Sequence, residues 1–299
     1  MGESNAEGET YWTALDRALR TVIPQLQGVA RVGMAFFPRG QFGRDACSAD
    51  PVAAQPPTED LARLMREFPP GPVMNGGTPT YEGLLAAATM HRARQVADPL
   101  RARFVVLVTD GAAGCNFEHS LDRCVCLSGT GDDSCRRPPT YPGSCLDDER
   151  ITNLIRLLRS ENVSTTVLGL TGASPEPRLV PIYERFLADM ALAGGLPSRG
   201  PVPYLRAERR VEIEQSLARP LLEAALCRVV QRDDRQMQGE TLIGGGSSVA
   251  RDTSRRDGWD WADESRRTIQ LYGAACDLAI ERRVLVWTAT ATGLCQLPP

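Results

Sequence analysis

The sequence predicts an α/β protein: a mostly parallel, doubly wound sheet, with a small β-rich appendage behind it. Three observations predict this class. Apolar runs of strand length alternate with segments of helical period from residue 11 to about 230. The stretches between the strands are long enough to cross over in the right-handed sense that parallel strands require. Beyond about residue 231 the texture changes, and short apolar pieces (ETLIGGG, TIQLYG, RVLVWTATAT) alternate with glycine and charged turns.

Taken in order, residues 11 to 27 place Trp12, Leu15, Leu19, Val22 and Ile23 near helical spacing, with Pro24 set to shorten the helix. Residues 29 to 38 (VARVGMAFFP) read as a buried strand. A short helix is expected over residues 58 to 68, with Thr58 as its N-cap and Leu61, Leu64 and Met65 facing inward. A helix from Tyr81 to about Val96 follows, then the strand RFVVLVTDG at residues 103 to 111. After a cysteine-rich insertion at 112 to 147 comes a helix over 148 to 160, with Ile151, Leu154, Ile155 and Leu158 at i, i+3, i+4 and i+7. The β-branched run STTVLGL at 164 to 170 is a buried strand, and helices at 182 to 193 and 209 to 230 complete the alternation. The expected domains are therefore 1 to 230 and 231 to 299.

The bulk properties exclude whole classes of function. A net charge of −3 over 299 residues argues against the basic stripe of a nucleic-acid binder, so no nucleic-acid partner is expected. No run of 18 apolar residues is present, so no transmembrane segment is expected. The polar start MGESNAEGET lacks the apolar core of a secretory signal, whereas nine cysteines point to a secreted or cell-surface setting.

Two short motifs carry the chemistry. An unbroken apolar strand delivers Asp110 to a Thr-Asp-Gly turn at its carboxyl end, and upstream stands GGTPT at residues 76 to 80. Ligands of parallel sheets gather at the carboxyl ends of strands, where a hydroxyl and a carboxylate suit a hard divalent cation. The plainer alternatives are a helix N-cap or turn role for Thr78 and an Asx-turn for Asp110.

The pairing of GGTPTYEGL with FVVLVTDG, in this order of elements, resembles the von Willebrand factor type A domain. The resemblance implies a metal-ion-dependent adhesion site in which Thr78 matches the threonine of the second motif and Asp110 the aspartate of the third. It also implies Mg²⁺, or Mn²⁺ or Ca²⁺, at that site, and a protein partner offering an Asp or Glu carboxylate to complete the coordination. The family's first motif, Asp-x-Ser-x-Ser, is missing: the chain begins MGES as though Met1 closed it, so the sheet is expected to lack its first strand and the metal to be held weakly. Two explanations compete: a start codon set downstream of the true one, which would explain the missing motif and the missing signal together and is favoured, and a true truncation. The segment GWDWADESRRTIQLYGAACDLA further resembles a C-terminal extension of bacterial members, which implies a Cys276 to Cys295 disulfide. Trp259 and Trp261 are expected to pack in the core of that unit.

The cysteines at 115, 124, 126, 135 and 145 lack the paired C-x2-C knuckles of structural zinc, so disulfides are expected over a zinc site. Cys227 is the candidate for an unpaired thiol. His91 and His119 stand outside any ligand spacing and read as surface. Asp132, Asp133, Asp147 and Asp148 read as solvated loop acids, and Gly244 to Gly246 only mimics a phosphate loop. The function expected is non-catalytic, metal-assisted protein binding. One alternative is a metal-independent scaffold binding through the cysteine-rich insertion; another is a metal-assisted hydrolase using Asp110, for which no histidine or cysteine is obviously placed as base.

Overall fold

The computed structural model describes residues 1–5, 7–41, 44–49, 55–73, 76–97, 102–116, 121–127, 135, 143–170, 177–198, 200–230, 241–262, 266, 268–284 and 288–290. The chain divides into two compact units. The first holds residues 1–25, 31–94 and 103–217, and the second holds 26–30, 95–102 and 218–299.

The first unit opens with helix α1 (Tyr11–Val22), whose amide of Thr13 donates to the Thr10 hydroxyl as an N-cap, at 3.1 Å. Tyr11, Ala14, Leu15, Ala18 and Val22 are buried along one face, and the chain tightens into a 3-10 turn at Ile23–Leu26, where Pro24 ends the α-helix. The strand expected over residues 29 to 38 shrinks to β1 (Val32–Met34). It pairs antiparallel with β2 (Gln55–Thr58) in a separate two-stranded sheet. Side-chain demands shorten it: Phe36 stacks with Phe68 and Trp12 at ring distances of 5.4 and 6.2 Å, and Phe37 packs on the main core. Thr58 therefore belongs to a strand, and the helix α2 starts later, at Leu61–Arg66. Its N-cap is Asp60, whose carboxylate accepts from the Arg63 amide at 2.9 Å.

Helix α3 (Thr80–Ala97) leads to β3 (Arg103–Thr109), which runs parallel to β4 (Val163–Leu170) in continuous register from Arg103 opposite Val163 to Thr109 opposite Gly169. Between them lies α4 (Asp148–Ser160), with Asp148 and Glu149 in its first turn complementing the helix dipole. Helix α5 (Val180–Gly194) ends on Gly195 in the left-handed conformation (φ 77°), and β5 (Leu205–Ala207) pairs parallel to β4. Among the described residues the parallel sheet has three strands in the order β3-β4-β5, and all eight residues of the central β4 are buried. That two-sided burial accounts for the run's β-branched, unalternated character. The core joins Leu84 of α3, Leu107 of β3, Ile151 and Ile155 of α4, and Phe186 and Met190 of α5. Each such side chain stabilises by roughly 1.5–3 kcal/mol.

Helix α6 (Arg210–Leu226) stops four residues short of expectation. Residues Arg228–Val230 instead form β6, because Val229 and Val230 suit a ladder and find one in β10. In the second unit β7 (Thr241–Gly244) and β8 (Ser247–Ala250) form a hairpin. Its two-residue turn is Gly245 and Gly246, both at positive φ (56° and 75°), so the glycines serve the turn. Strands β9 (Gly258–Trp261) and β10 (Thr268–Tyr272) pair antiparallel, α7 (Gly273–Glu281) follows, and β11 (Thr288–Thr290) joins β7. Two three-stranded antiparallel sheets result, β6-β10-β9 and β11-β7-β8. Trp259 and Trp261 meet edge to face at 5.6 Å in this unit's core, as expected. The helix α7 has no counterpart in the sequence expectation.

The disulfides are Cys47–Cys115, Cys124–Cys145, Cys126–Cys135 and Cys227–Cys276. The insertion cysteines are thus cross-linked, as expected, and none is left for zinc. Two expectations are corrected. Cys227 is paired, and its partner is Cys276, so Cys276 does not pair with Cys295, which lies outside the described residues. The reason is proximity in one core: Cys227 follows α6, Cys276 sits in α7, and both are buried with Cα atoms 5.2 Å apart. Among the described residues no helix is long and apolar enough to cross a membrane.

Candidate functional site

Two glycines shape the loop that carries Thr78. A methyl group on Gly76 would lie 2.9 Å from the Gly40 carbonyl oxygen, besides striking Pro38, and one on Gly77 would lie 2.5 Å from Cys115 Sγ and 2.9 Å from the Ala46 carbonyl. The pair lets Pro38, Gly40, Ala46 and Cys47 lie directly against the loop, where the Gly77 amide donates to the Ala46 carbonyl at 2.9 Å. Thr78 comes next, half-buried. Its carbonyl accepts from the Thr80 amide (2.8 Å) and from the Gly114 amide (3.1 Å). The second bond ties the Thr78 loop to the loop that leaves Asp110.

Asp110 stands at the carboxyl end of β3, 29% exposed, with its carboxylate paired to the amino group of Met1. Its neighbour makes the turn: the Thr109 hydroxyl donates to the Gly111 carbonyl (3.0 Å) and accepts from the Gly111 amide (3.4 Å). Thr78 sits outside α3, which starts at Thr80. Beside it Thr80 is 1% exposed, and among the described residues its hydroxyl has no hydrogen-bond partner. A buried hydroxyl left unpaired costs about 1–3 kcal/mol, which a hard cation or an ordered water at this rim would relieve. The donor set is oxygen only, which fits Mg²⁺, Mn²⁺ or Ca²⁺ rather than a thiophilic ion. Among the described residues no three His, Cys, Asp or Glu side chains gather as a metal cluster.

A charged network that the sequence reading missed supports the same loops. Asp147, expected to be solvated, is wholly buried: Arg150 grips it at 2.7 and 3.1 Å, and the Asn116 side-chain amide donates to it at 3.0 Å. The Arg150 guanidinium also donates to the Cys115 carbonyl (3.4 Å) and lies 4.0 Å from the Tyr81 ring centroid. The signal available in the sequence was an aspartate three residues before an arginine at a helix start, which is also how solvated acids look. Asp148 remains exposed; Asp132, Asp133 and His119 lie outside the described residues.

His91, expected on the surface, is half-buried on α3 and hydrogen-bonded to the Phe104 backbone. Burial, and then the nearby Arg103 guanidinium, push its pKa below the ordinary value. An open groove of about 620 Å³ is lined by Asp148, Glu149, Arg156, Arg159, Asp189 and Leu192 among others; it carries both signs of charge and includes neither Thr78 nor Asp110.

No family model matches the chain, and no curated protein matches it by sequence. Solved structures do. The fold resembles that of a bacterial pilus adhesin. The crystal structure of SpaC from Lactobacillus rhamnosus GG in its open conformation aligns with a TM-score of 0.50 at 12% identity, over 87% of this chain and 35% of that one. A second crystal form of SpaC gives 0.50 at 13% identity, over 91% and 36%. The chain thus spans about a third of the length of the SpaC structures it matches, and at this identity the likeness concerns fold alone. Four disulfides are consistent with an extracellular or cell-surface setting.

Proposed function

We propose that this chain is a non-catalytic adhesion module of the von Willebrand type A kind, with Thr78 and Asp110 as part of a divalent-cation site at the carboxyl end of β3. The observation that carries the reading is the bond from the Gly114 amide to the Thr78 carbonyl, which holds the two motif loops together. The fold likeness to a pilus adhesin and the buried Thr80 hydroxyl, without a partner among the described residues, agree with it. A bound Mg²⁺ supplies an electrophilic position that a partner's Asp or Glu carboxylate fills. The cysteine-rich insertion leaves directly after Asp110, so its surface selects the partner.

Calorimetric titration with Mg²⁺ and Mn²⁺ tests this. Weak binding, with Kd of roughly 0.1–1 mM, is expected in the parent and is lost in Asp110→Asn and Thr78→Ala. Equal heats in parent and variants, or none in the parent, would sink the reading. A second reading, a metal-independent scaffold that binds through the insertion, is favoured by the lack of a described three-ligand cluster and by the cross-linked base of that insertion. Protein binding that survives chelation and Asp110→Asn would establish it.

A further inference from the structure

The Cys47–Cys115 disulfide packs on the loop that carries Thr78, and the surrounding contacts converge on it. Cys115 is buried and takes a left-handed backbone conformation (φ 74°) that non-glycine residues seldom adopt. Its amide donates to the Gly143 carbonyl at 2.8 Å, its carbonyl accepts from Arg150 at 3.4 Å, and its sulfur lies where a methyl on Gly77 would stand, at 2.5 Å. On the other side Cys47 Sγ would lie 3.3 Å from that same methyl, while Ala46, its neighbour, accepts the Gly77 amide at 2.9 Å. The bridge joins positions 68 residues apart, linking the segment that crosses the glycine pair to the segment that leaves Asp110. Thr78 is thus held between two segments that are covalently fastened to each other.

We propose that Cys47 and Cys115 are positioning residues: their disulfide sets the Thr78 loop against Asp110, and Gly77 is glycine because the bridge occupies the space of its side chain. This deepens the adhesion-site reading and rests on it for the consequence that ligand binding at Asp110 depends on a disulfide that touches no ligand. The other bridges of the insertion, Cys124–Cys145 and Cys126–Cys135, make no such contact with Gly77.

The test compares a Cys47→Ala/Cys115→Ala variant with a Cys126→Ala/Cys135→Ala control, by hydrogen exchange and by Mg²⁺ titration. In the first variant the Gly77 and Gly114 amides exchange at least about tenfold faster while those of β4 hold their protection, and Mg²⁺ affinity falls by roughly tenfold. The control leaves all three unchanged. Should the first variant fail to fold, Gly77→Ala keeps the disulfide and pushes the loop off it, with the same loss of affinity expected. Unchanged exchange at Gly77 and Gly114 in the cysteine variant, or parent-like exchange at those amides in Gly77→Ala, would overturn the proposal. If the parent takes up no Mg²⁺ yet those amides are loosened as described, the brace stands and the metal reading falls.

Discussion

Removing the Cys227–Cys276 bridge by a double alanine substitution is the sharpest test of the second unit. The bridge closes a segment of 49 residues, which in the chain-entropy treatment stabilises the folded form by about 4 kcal/mol. Both cysteines are buried, 0% and 4% exposed, so the lost sulfur atoms add up to about 1 kcal/mol of cavity cost. A total near 4–5 kcal/mol is a large share of the stability of a unit this small. Its thermal midpoint should drop by roughly 15–30 °C. Urea unfolding followed by near-ultraviolet circular dichroism reads this directly, because Trp259 and Trp261 pack edge to face in the same core. A loss below about 1 kcal/mol, or non-reducing peptide mapping that joins Cys276 to Cys295, would refute the reasoning.

Two further outcomes follow from burial. Arg150→Ala takes the guanidinium away from the wholly buried Asp147 carboxylate and should cost about 3–5 kcal/mol in chemical denaturation, with Arg150→Ala/Asp147→Asn recovering part of it. His91 has a folded-state pKa below its unfolded value, so its contribution to stability is complete above the unfolded pKa of about 6.5 and is lost as pH falls through the lower folded pKa. Denaturation midpoints measured between about pH 5.5 and 7.5 should therefore rise with pH, and His91→Gln should flatten the slope.

The parts of the fold that could be read from sequence are those whose burial is periodic. Ile151, Leu154, Ile155 and Leu158 mark α4 to within a residue, and the β-branched run of β4 marks a strand buried on both sides. The antiparallel partnership of β1 with β2 was hidden because Pro56 and Pro57 disguise an edge strand as a loop. Strand β6 was hidden because Val229 and Val230 also continue the helical period of α6. Thr78 and Asp110 stand in short patterns that sequence alone singles out. What surrounds them was not: the Gly114 tie, the Cys47–Cys115 bridge and the burial of Asp147 join segments far apart in sequence, and local pattern carries no record of such meetings. The disulfide partners failed for the same reason, since proximity in one core, not spacing, pairs Cys227 with Cys276.

The two bridges inside the insertion are nested: Cys126–Cys135 lies within the span of Cys124–Cys145, and Cys126 faces Cys145 in an antiparallel bridge flanked by Leu127 bonding to Ser144 and Leu146 to Val125. The two ends of the insertion are therefore clasped to each other by a covalent bond and by backbone bonds, so the neck keeps its own shape without leaning on the Cys47–Cys115 bridge.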